Sequence, residues 1–333
     1  MARVLTSRQR RIARFFLRRL WQGALLVLCV AVLDFALLHA VPGDAADAIA
    51  GEAGTADPGY VATLRRQLGL DQPLPVQLGL YLWRLLHGDF GYSFRYGQPV
   101  MALIGERLPA TLLLMAASIG VAVAAGIVLG ALSARFANSW LDRLIASVML
   151  FFYATPLFWF GLMMVVVFAL RLGWLPPGGM YDPATPRHGG AFALDVVRHL
   201  VLPALTQAFF YLAVYTRLVR AAMLEAYGAD YVRFARAKGI GETRVAVRHV
   251  LRNALTPLVT TVGLNLGAVL GGAVLTETVF SWPGIGRLMF DAVFQRDVNL
   301  LLSILVLSSL LVTVVNLLVD ALYAALSPTV ELA

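Results

Sequence analysis

Asp230-Tyr-Val-Arg-Phe-Ala-Arg-Ala-Lys-Gly-Ile-Gly241, followed by Arg248-His-Val-Leu-Arg-Asn253, is the stretch on which the fold turns. Lys238, inside it, is the only lysine of the chain. The segment favours a helix, carries positive charge and meets two glycines, and long hydrophobic runs lie on either side of it. It reads as a short basic helix held outside the membrane between two spans. Tyr227, Tyr231, Phe234 and Lys238 recur at helical spacing and share one face. Ala235 lies beside that face, and Arg233, Arg236 and Arg244 set charge around it. Gly239 and Gly241 permit the left-handed backbone that ends a helix, and residues 242–251 are expected to form a second helix leading into the next span. Such an aromatic stripe either packs into its own core or inserts into a groove on a partner. The spacing leaves both open.

Hydrophobic residues make up 59% of the chain and charged residues 14%, against about a quarter charged in a soluble domain. A helix needs about 20 apolar residues to cross a bilayer. Segments 21–40, 109–134, 144–170, 199–223, 254–280 and 299–325 qualify, which predicts an all-α membrane protein with six transmembrane helices. Irregular backbone cannot face lipid, so these are helices rather than strands.

Orientation follows from the arginines. Residues 1–20 carry seven arginines and no acid, the turn 135–143 holds Arg135 and Arg143, and the 221–253 loop is strongly basic. Positive loops stay in the cytosol, so a cytoplasmic N-terminus (1–20), a cytoplasmic loop (224–253) and a cytoplasmic tail (326–333) are expected. Segment 41–108 and loops 171–198 and 281–298 then lie outside. The net charge of +8 is spread over separate loops, which reads as topology and attraction to lipid headgroups rather than a nucleic-acid footprint. Ser7–Phe16 loosely resembles a twin-arginine export signal, but the apolar run behind it is too long for one. An uncleaved first span is expected, with Cys29 as a small packing residue inside it.

Segment 41–108 is too long for a plain connector. Pro42-Gly43-Asp44 signals a turn, Leu68–Pro75 ends one short helix and begins another, and Gly88-Asp-Phe-Gly-Tyr-Ser93 is a turn. With Tyr81 and Trp83 at interfacial depth, it reads as a small folded lid on the outer face. Breaks at Trp174–Gly179 and Ser281–Gly286 follow spans three and five.

Several chemistries are excluded. A phosphate-binding loop needs Gly-Lys-Ser/Thr, and Lys238 sits between Ala237 and Gly239. The five histidines are scattered and form no metal-ligand pair. No nucleophile elbow occurs, which argues against a membrane-bound hydrolase. Asp34, Glu277 and Asp320 are ionisable groups in or near spans, and such groups are costly in lipid. Each reads either as functional or as a satisfied helix contact. For Glu277 the choice is a role in the pathway or gate, or a capping contact inside its own chain.

Together these stretches resemble an integral-membrane permease subunit of an ATP-binding-cassette importer, and more narrowly the first permease of the dipeptide/oligopeptide/nickel branch. The resemblance is carried by Leu68–Pro75, Gly88–Ser93, Arg107-Leu-Pro-Ala-Thr111, Trp174-Leu-Pro176, His199-Leu-Val-Leu-Pro-Ala-Leu205, Asp230–Gly239, Arg248–Ala254, Gly271-Gly-Ala-Val274, Glu277 and Pro283-Gly-Ile-Gly-Arg287. Permeases of this class carry a Glu-Ala-Ala…Gly signature in the cytoplasmic loop, whose helix docks in a cleft on the ATPase. Here only Ala235 and Gly239 match. Arg233 stands at the Glu position and Phe234 at the first Ala position, which is how the peptide branch looks. Glu225-Ala226 has the wrong spacing to Gly239.

The resemblance implies the type I importer permease fold, with Tyr231, Arg233, Phe234, Ala235, Arg236, Lys238, Gly239, Arg248 and Asn253 as ATPase-coupling residues. It implies a second homologous permease, two ABC ATPase subunits and an extracytoplasmic solute-binding protein as partners, in a bacterial inner membrane. No cofactor is expected in this chain; ATP and Mg belong to the partner ATPases. Short peptides are the first expected solute, with nickel chelates, opines, glutathione or oligosaccharides as alternatives. The rival is an ion-coupled secondary transporter acting alone, which would need midplane ion sites at paired broken helices.

Overall fold

A computed structural model describes residues 7–40, 46, 57–93, 95–184 and 188–326. The Pro42–Asp44 turn, Arg3 and the tail beyond residue 326 lie outside the described residues. The chain divides into two compact units, one of residues 1–107 with 288–333 and one of residues 108–287.

The first unit pairs the first and last long helices. Helix α1 (Ser7–Ala40) carries the apolar stretch Phe16–Ala40. Cys29 is exposed on it rather than packed, a correction to its expected role. Helix α2 (Pro58–Leu68) starts with the Asp57 side chain accepting from Gly59 N and ends on Gly69 at φ +72°. Helix α3 (Leu74–Leu86) follows and packs on the end of α1, with the Tyr81 ring 5.9 Å from Phe35 and Gln77 bonded to His39. Strands β1 (Tyr92–Ser93) and β2 (Gln98–Pro99) pair antiparallel. The Gly88–Ser93 turn is fastened to the start of the last helix. Ser93 Oγ donates to Asp297 Oδ2 at 2.5 Å, Asn299 to the Tyr92 carbonyl at 2.9 Å and Ser303 to the Phe90 carbonyl at 2.9 Å.

Helix α4 (Val100–Arg135) runs from the first unit into the second. Beyond it come α5 (Trp140–Ala154), α6 (Leu157–Met164) with its π-helical extension Val165–Arg171, α7 (Gly190–Tyr227) and α8 (Asp230–Ala237). After α8, the turn Glu242–Arg244 and a π-helical stretch Val245–Leu251 lead into α9 (Arg252–Val279). Helices α10 (Ile285–Gln295) and α11 (Val298–Leu326) complete the chain. In the first unit α11 runs antiparallel to α1. Arg19 pairs with Asp320 at 3.1 Å, and a Cβ at Gly23 would overlap the Thr313 methyl.

The expected continuous span 144–170 is corrected. It is two helices, α5 and α6 with its extension, bent by 104°. Pro156 has no N–H to continue the helix, and its ring pushes Thr155 into extended backbone at φ −82°, ψ 130°. Among the described residues four helices are long and apolar enough to cross a bilayer, or five if the bent pair is one span. The sixth expected span corresponds to α9, 28 residues and about 42 Å long.

Inside the second unit α4 and α7 cross closely at Gly126 and Gly130. A Cβ at Gly130 would lie 2.7 Å from Val219 Cβ and 2.8 Å from the Thr216 carbonyl, and one at Gly126 would lie 2.9 Å from Tyr215 Cβ. This small-xxx-small spacing lets backbones approach where lipid offers no hydrophobic drive between helices. The crossing continues into a core of Ala134, Val219, Met223, Val232, Ala235 and Val250, and α8 sits on it.

Candidate coupling site and buried latch

Helix α8 is short and divided by face. Val232 and Ala235 are buried in a core shared with Val245 and Val250 of the stretch that follows and with residues of α4 and α7. Opposite them Phe234 is 69% exposed and Tyr231 41%. Lys238 and Arg233 are exposed too, and Arg233 pairs with Asp230 at 3.4 Å. The stripe read from the sequence therefore splits. Tyr231, Phe234 and Lys238 face outward, and Tyr227 is half-buried with the Arg236 guanidinium 5.7 Å over its ring. Ala235, one of the expected coupling residues, is buried in the chain's own core.

The helix ends as its glycine requires. Gly239 adopts φ +74°, and its N–H reaches the Arg236 carbonyl at 2.9 Å. Gly241, at φ −58°, needs no glycine for its backbone, against expectation. Arg236 then reaches forward to Glu242 through two hydrogen bonds, the shorter 2.5 Å. That guanidinium holds the Glu242 carboxyl below the usual carboxylate range. Arg135 donates to Thr243 at 3.2 Å, tying the end of α4 to the same loop. Arg248 and Asn253 are exposed further along, and Asn253 bonds back to the His249 carbonyl at 3.1 Å. The expected second helix is present in altered form. Its middle, Val245–Leu251, is π-helical, with Val245 and Val250 buried, which re-aims the loop as it enters α9.

Glu277, near the end of α9, is 0% exposed. Its Oε1 accepts from Thr111 Oγ1 at 2.7 Å and its Oε2 from Arg287 N at 2.9 Å. Thr111 Oγ1 in turn accepts from Ile285 N at 2.8 Å. The Trp282 indole, fully buried, donates to the Ala110 carbonyl at 2.8 Å. A Cβ at Gly284 would overlap the Glu277 carboxylate, and one at Gly286 would lie 2.6 Å from Val274 Cα. These contacts form a latch that closes the Ser281–Arg287 turn onto α4. The carboxylate sits at the N-terminus of α10, where free backbone N–H groups favour an anion. Of the two readings open for Glu277, the geometry matches the contact inside its own chain.

At the other end of α7 from α8, a cavity of about 500 Å³ is lined by residues that include Trp174, Tyr181, Asp195 and His199. Its carboxylates shape the loop: Asp195 Oδ2 accepts from Asp182 N at 2.8 Å and Asp182 Oδ1 from Ala184 N at 3.0 Å.

Three features escaped the sequence reading. The Gly126–Gly130 pair was legible as a small-xxx-small motif. The Thr155-Pro156 step was legible as a helix boundary. The pair of buried Asp142 and half-buried Arg220 had no local signal, because its partners lie 78 residues apart.

Comparison with known proteins agrees with this architecture. Residues 126–332 match the family described as "Binding-protein-dependent transport system inner membrane component". Residues 12–115 match the N-terminal domain associated with it, "Binding-prot-dependent transport system membrane comp, N-term". The chain is 37% identical to the dipeptide transport system permease protein DppB of Alkalihalophilus pseudofirmus, over 95% of this chain and 99% of that one. It is 40% identical to a Brucella suis biovar 1 protein provisionally named a peptide permease, over 96% of this chain and 99% of the other. Among solved structures, an inward-facing form of the MetNI methionine ABC transporter is similar in fold, with a TM-score of 0.55 and 18% identity over 68% of this chain and 96% of that one.

Proposed function

Because this chain belongs to the family of binding-protein-dependent transport system inner membrane components, we propose that it imports short peptides as one of two homologous permeases, driven by two cytoplasmic ATPase subunits. It is a multi-pass inner-membrane permease subunit of an ATP-driven importer. The peptide assignment is supported by the dipeptide permease it resembles over nearly its whole length. In this reading ATP and Mg are held by the ATPases, and this chain needs no cofactor. A solute-binding protein delivers the peptide at the outer face, where segment 44–107 meets it.

The observation that carries the coupling role is the division of α8. Val232 and Ala235 anchor the helix, while Tyr231 and Phe234 stand exposed beside Lys238 and Arg233. Large apolar side chains ringed by cations on a short anchored helix suit a groove on a partner. ATPase closure would push this helix, and the push would pass through its buried face into α4 and α7. Gly239 sets the angle at which the chain leaves it, and Arg236, Arg248 and Asn253 line the return path. The Arg19–Asp320 pair supports both termini lying on one side, and the arginine-rich first residues favour the cytosol for that side. Glu277 serves the pathway indirectly, by holding the outer turn in shape.

The test is reconstitution in vesicles. Peptide uptake that requires ATP, the second permease, the ATPases and the binding protein is the expected result. Uptake by this chain alone, driven by an ion gradient, would instead establish the secondary-transporter reading.

A further inference from the structure

Asp142, near the start of α5, gathers three helices on one carboxylate. Its side chain is 6% exposed. Arg220 of α7 meets it as a fork, Nε to Oδ1 at 2.8 Å and Nη2 to Oδ2 at 2.7 Å. Ser133 of α4 donates to Oδ1, and Asn138 N donates to Oδ2 at 2.9 Å. The Asp142 amide closes the turn by donating to Ser139 Oγ at 3.3 Å. Each carboxylate oxygen thus accepts two hydrogen bonds. The turn it closes is tight enough to put Asn138 at φ +64°.

The position of this clamp matters more than its strength. Ser133 precedes Ala134, and Arg220 follows Val219, and Ala134 and Val219 belong to the core that seats Val232 and Ala235 of α8. Two residues from Ser133, Arg135 reaches Thr243 in the loop beyond α8. On the side away from the loop, the Gly126 and Gly130 crossing joins α4 to α7. The seat of α8 is therefore bounded by a close backbone crossing on one side and by a bidentate ion pair on the other. A planar guanidinium fork fixes direction as well as distance, and a single charge contact does not.

We propose that Asp142 and Arg220 are positioning residues for energy coupling: their bidentate pair locks the ends of α4, α5 and α7 together, so that a push on α8 moves them as one body. Neither residue touches ATP or solute. With the fork lost, α8 can still receive the push, and part of it dissipates as α4 and α7 slip at their ends. The proposal rests on the coupling role of α8.

The experiment uses the complete transporter in vesicles and reads peptide uptake per ATP hydrolysed, alongside the amount and thermal midpoint of assembled complex. Arg220→Lys keeps the charge and loses the fork, and Asp142→Asn keeps the shape and loses the charge. The expected result is a fall in uptake per ATP of about 5-fold or more for Asp142→Asn and a smaller fall for Arg220→Lys, with binding-protein-stimulated ATPase activity retained. An unchanged ratio in Arg220→Lys overturns the proposal. So does a loss of assembled complex at an unchanged ratio per complex, because that is the signature of a purely structural pair. Phe234→Ala in the same vesicles reports on the coupling role separately: if that variant is wild type, the reading beneath the proposal has failed rather than the proposal alone.

Discussion

Helix α8 and the latch at Glu277 were both singled out by sequence, and they solve opposite problems. On α8 the apolar side chains Tyr231 and Phe234 are exposed, and small residues are buried beneath them. At the latch a carboxyl is buried, and its donors, Thr111 Oγ1 and Arg287 N, come from the same unit. Exposed apolar surface ringed by cations is unfinished without a partner. A buried carboxyl with its hydrogen bonds met is already complete. The contrast shows why residue type misleads: the ionisable residue finds its partners inside its own unit, and the plain aromatic on a loop faces outward.

The largest expected effect is at α8. Phe234→Ala should leave the thermal midpoint of the purified chain nearly unchanged, since exposed positions usually shift stability by less than about 0.5 kcal/mol. Uptake should fall on the order of 10-fold or more, as when an interface anchor is truncated. Wild-type uptake in vesicles would erase the contrast. At the latch the effect should invert. Gly284→Leu should sharply reduce the yield of folded chain, because its side chain would occupy the place of the Glu277 carboxylate.

Glu277→Gln refines the point. Its amide would aim a donor at Thr111 or at Arg287 N, and a buried unpaired donor costs about 1–3 kcal/mol. Stability should drop while uptake per assembled complex holds. A changed preference between neutral and cationic peptides at normal stability would return Glu277 to the pathway. Gly239 separates the two regions more finely. Nothing lies within 4 Å of a Cβ there, so only backbone strain opposes substitution, about 1–2 kcal/mol. Gly239→Asn should retain most uptake and Gly239→Val should lose it, with both chains inserted normally.

The smallest expected effect is on pH. Glu242 has its carboxyl pKa depressed by Arg236 in the folded chain. The pair therefore stabilises the loop above the unfolded carboxylate range, and that contribution is lost as pH falls through the folded value. Glu242→Gln should lower the thermal midpoint slightly at neutral pH and match wild type in acid. A gap that persists in acid would assign the residue a role beyond its charge.

Much of this was legible before any coordinates. Gly239 announced a left-handed helix end, and Tyr231 and Phe234 announced a face, because both signals are local. Hydropathy located most spans for the same reason. The bend at Pro156 passed unnoticed because hydropathy sums over a window and Pro leaves its apolarity intact. Arg220 hid inside an apolar segment and Asp142 inside a turn counted only for its arginines; their meeting is purely tertiary. The burial of Ala235 could not be read from its motif position, because a small side chain beside a helix crossing packs into the core only once the helices have met.

The fastening of Ser93 to Asp297 has a consequence for how the protein is made. It joins residues 204 positions apart, and the unit that contains it is built from residues 1–107 and 288–333. That unit stays incomplete on the ribosome until the residues beyond 287 are made, while residues 108–287 can settle beforehand. A chain released early would leave the Phe90 and Tyr92 carbonyls and the Ser93 hydroxyl without the partners that α11 brings. Truncated products therefore expose a defect in the first unit, which membrane quality control can find even when residues 108–287 are intact.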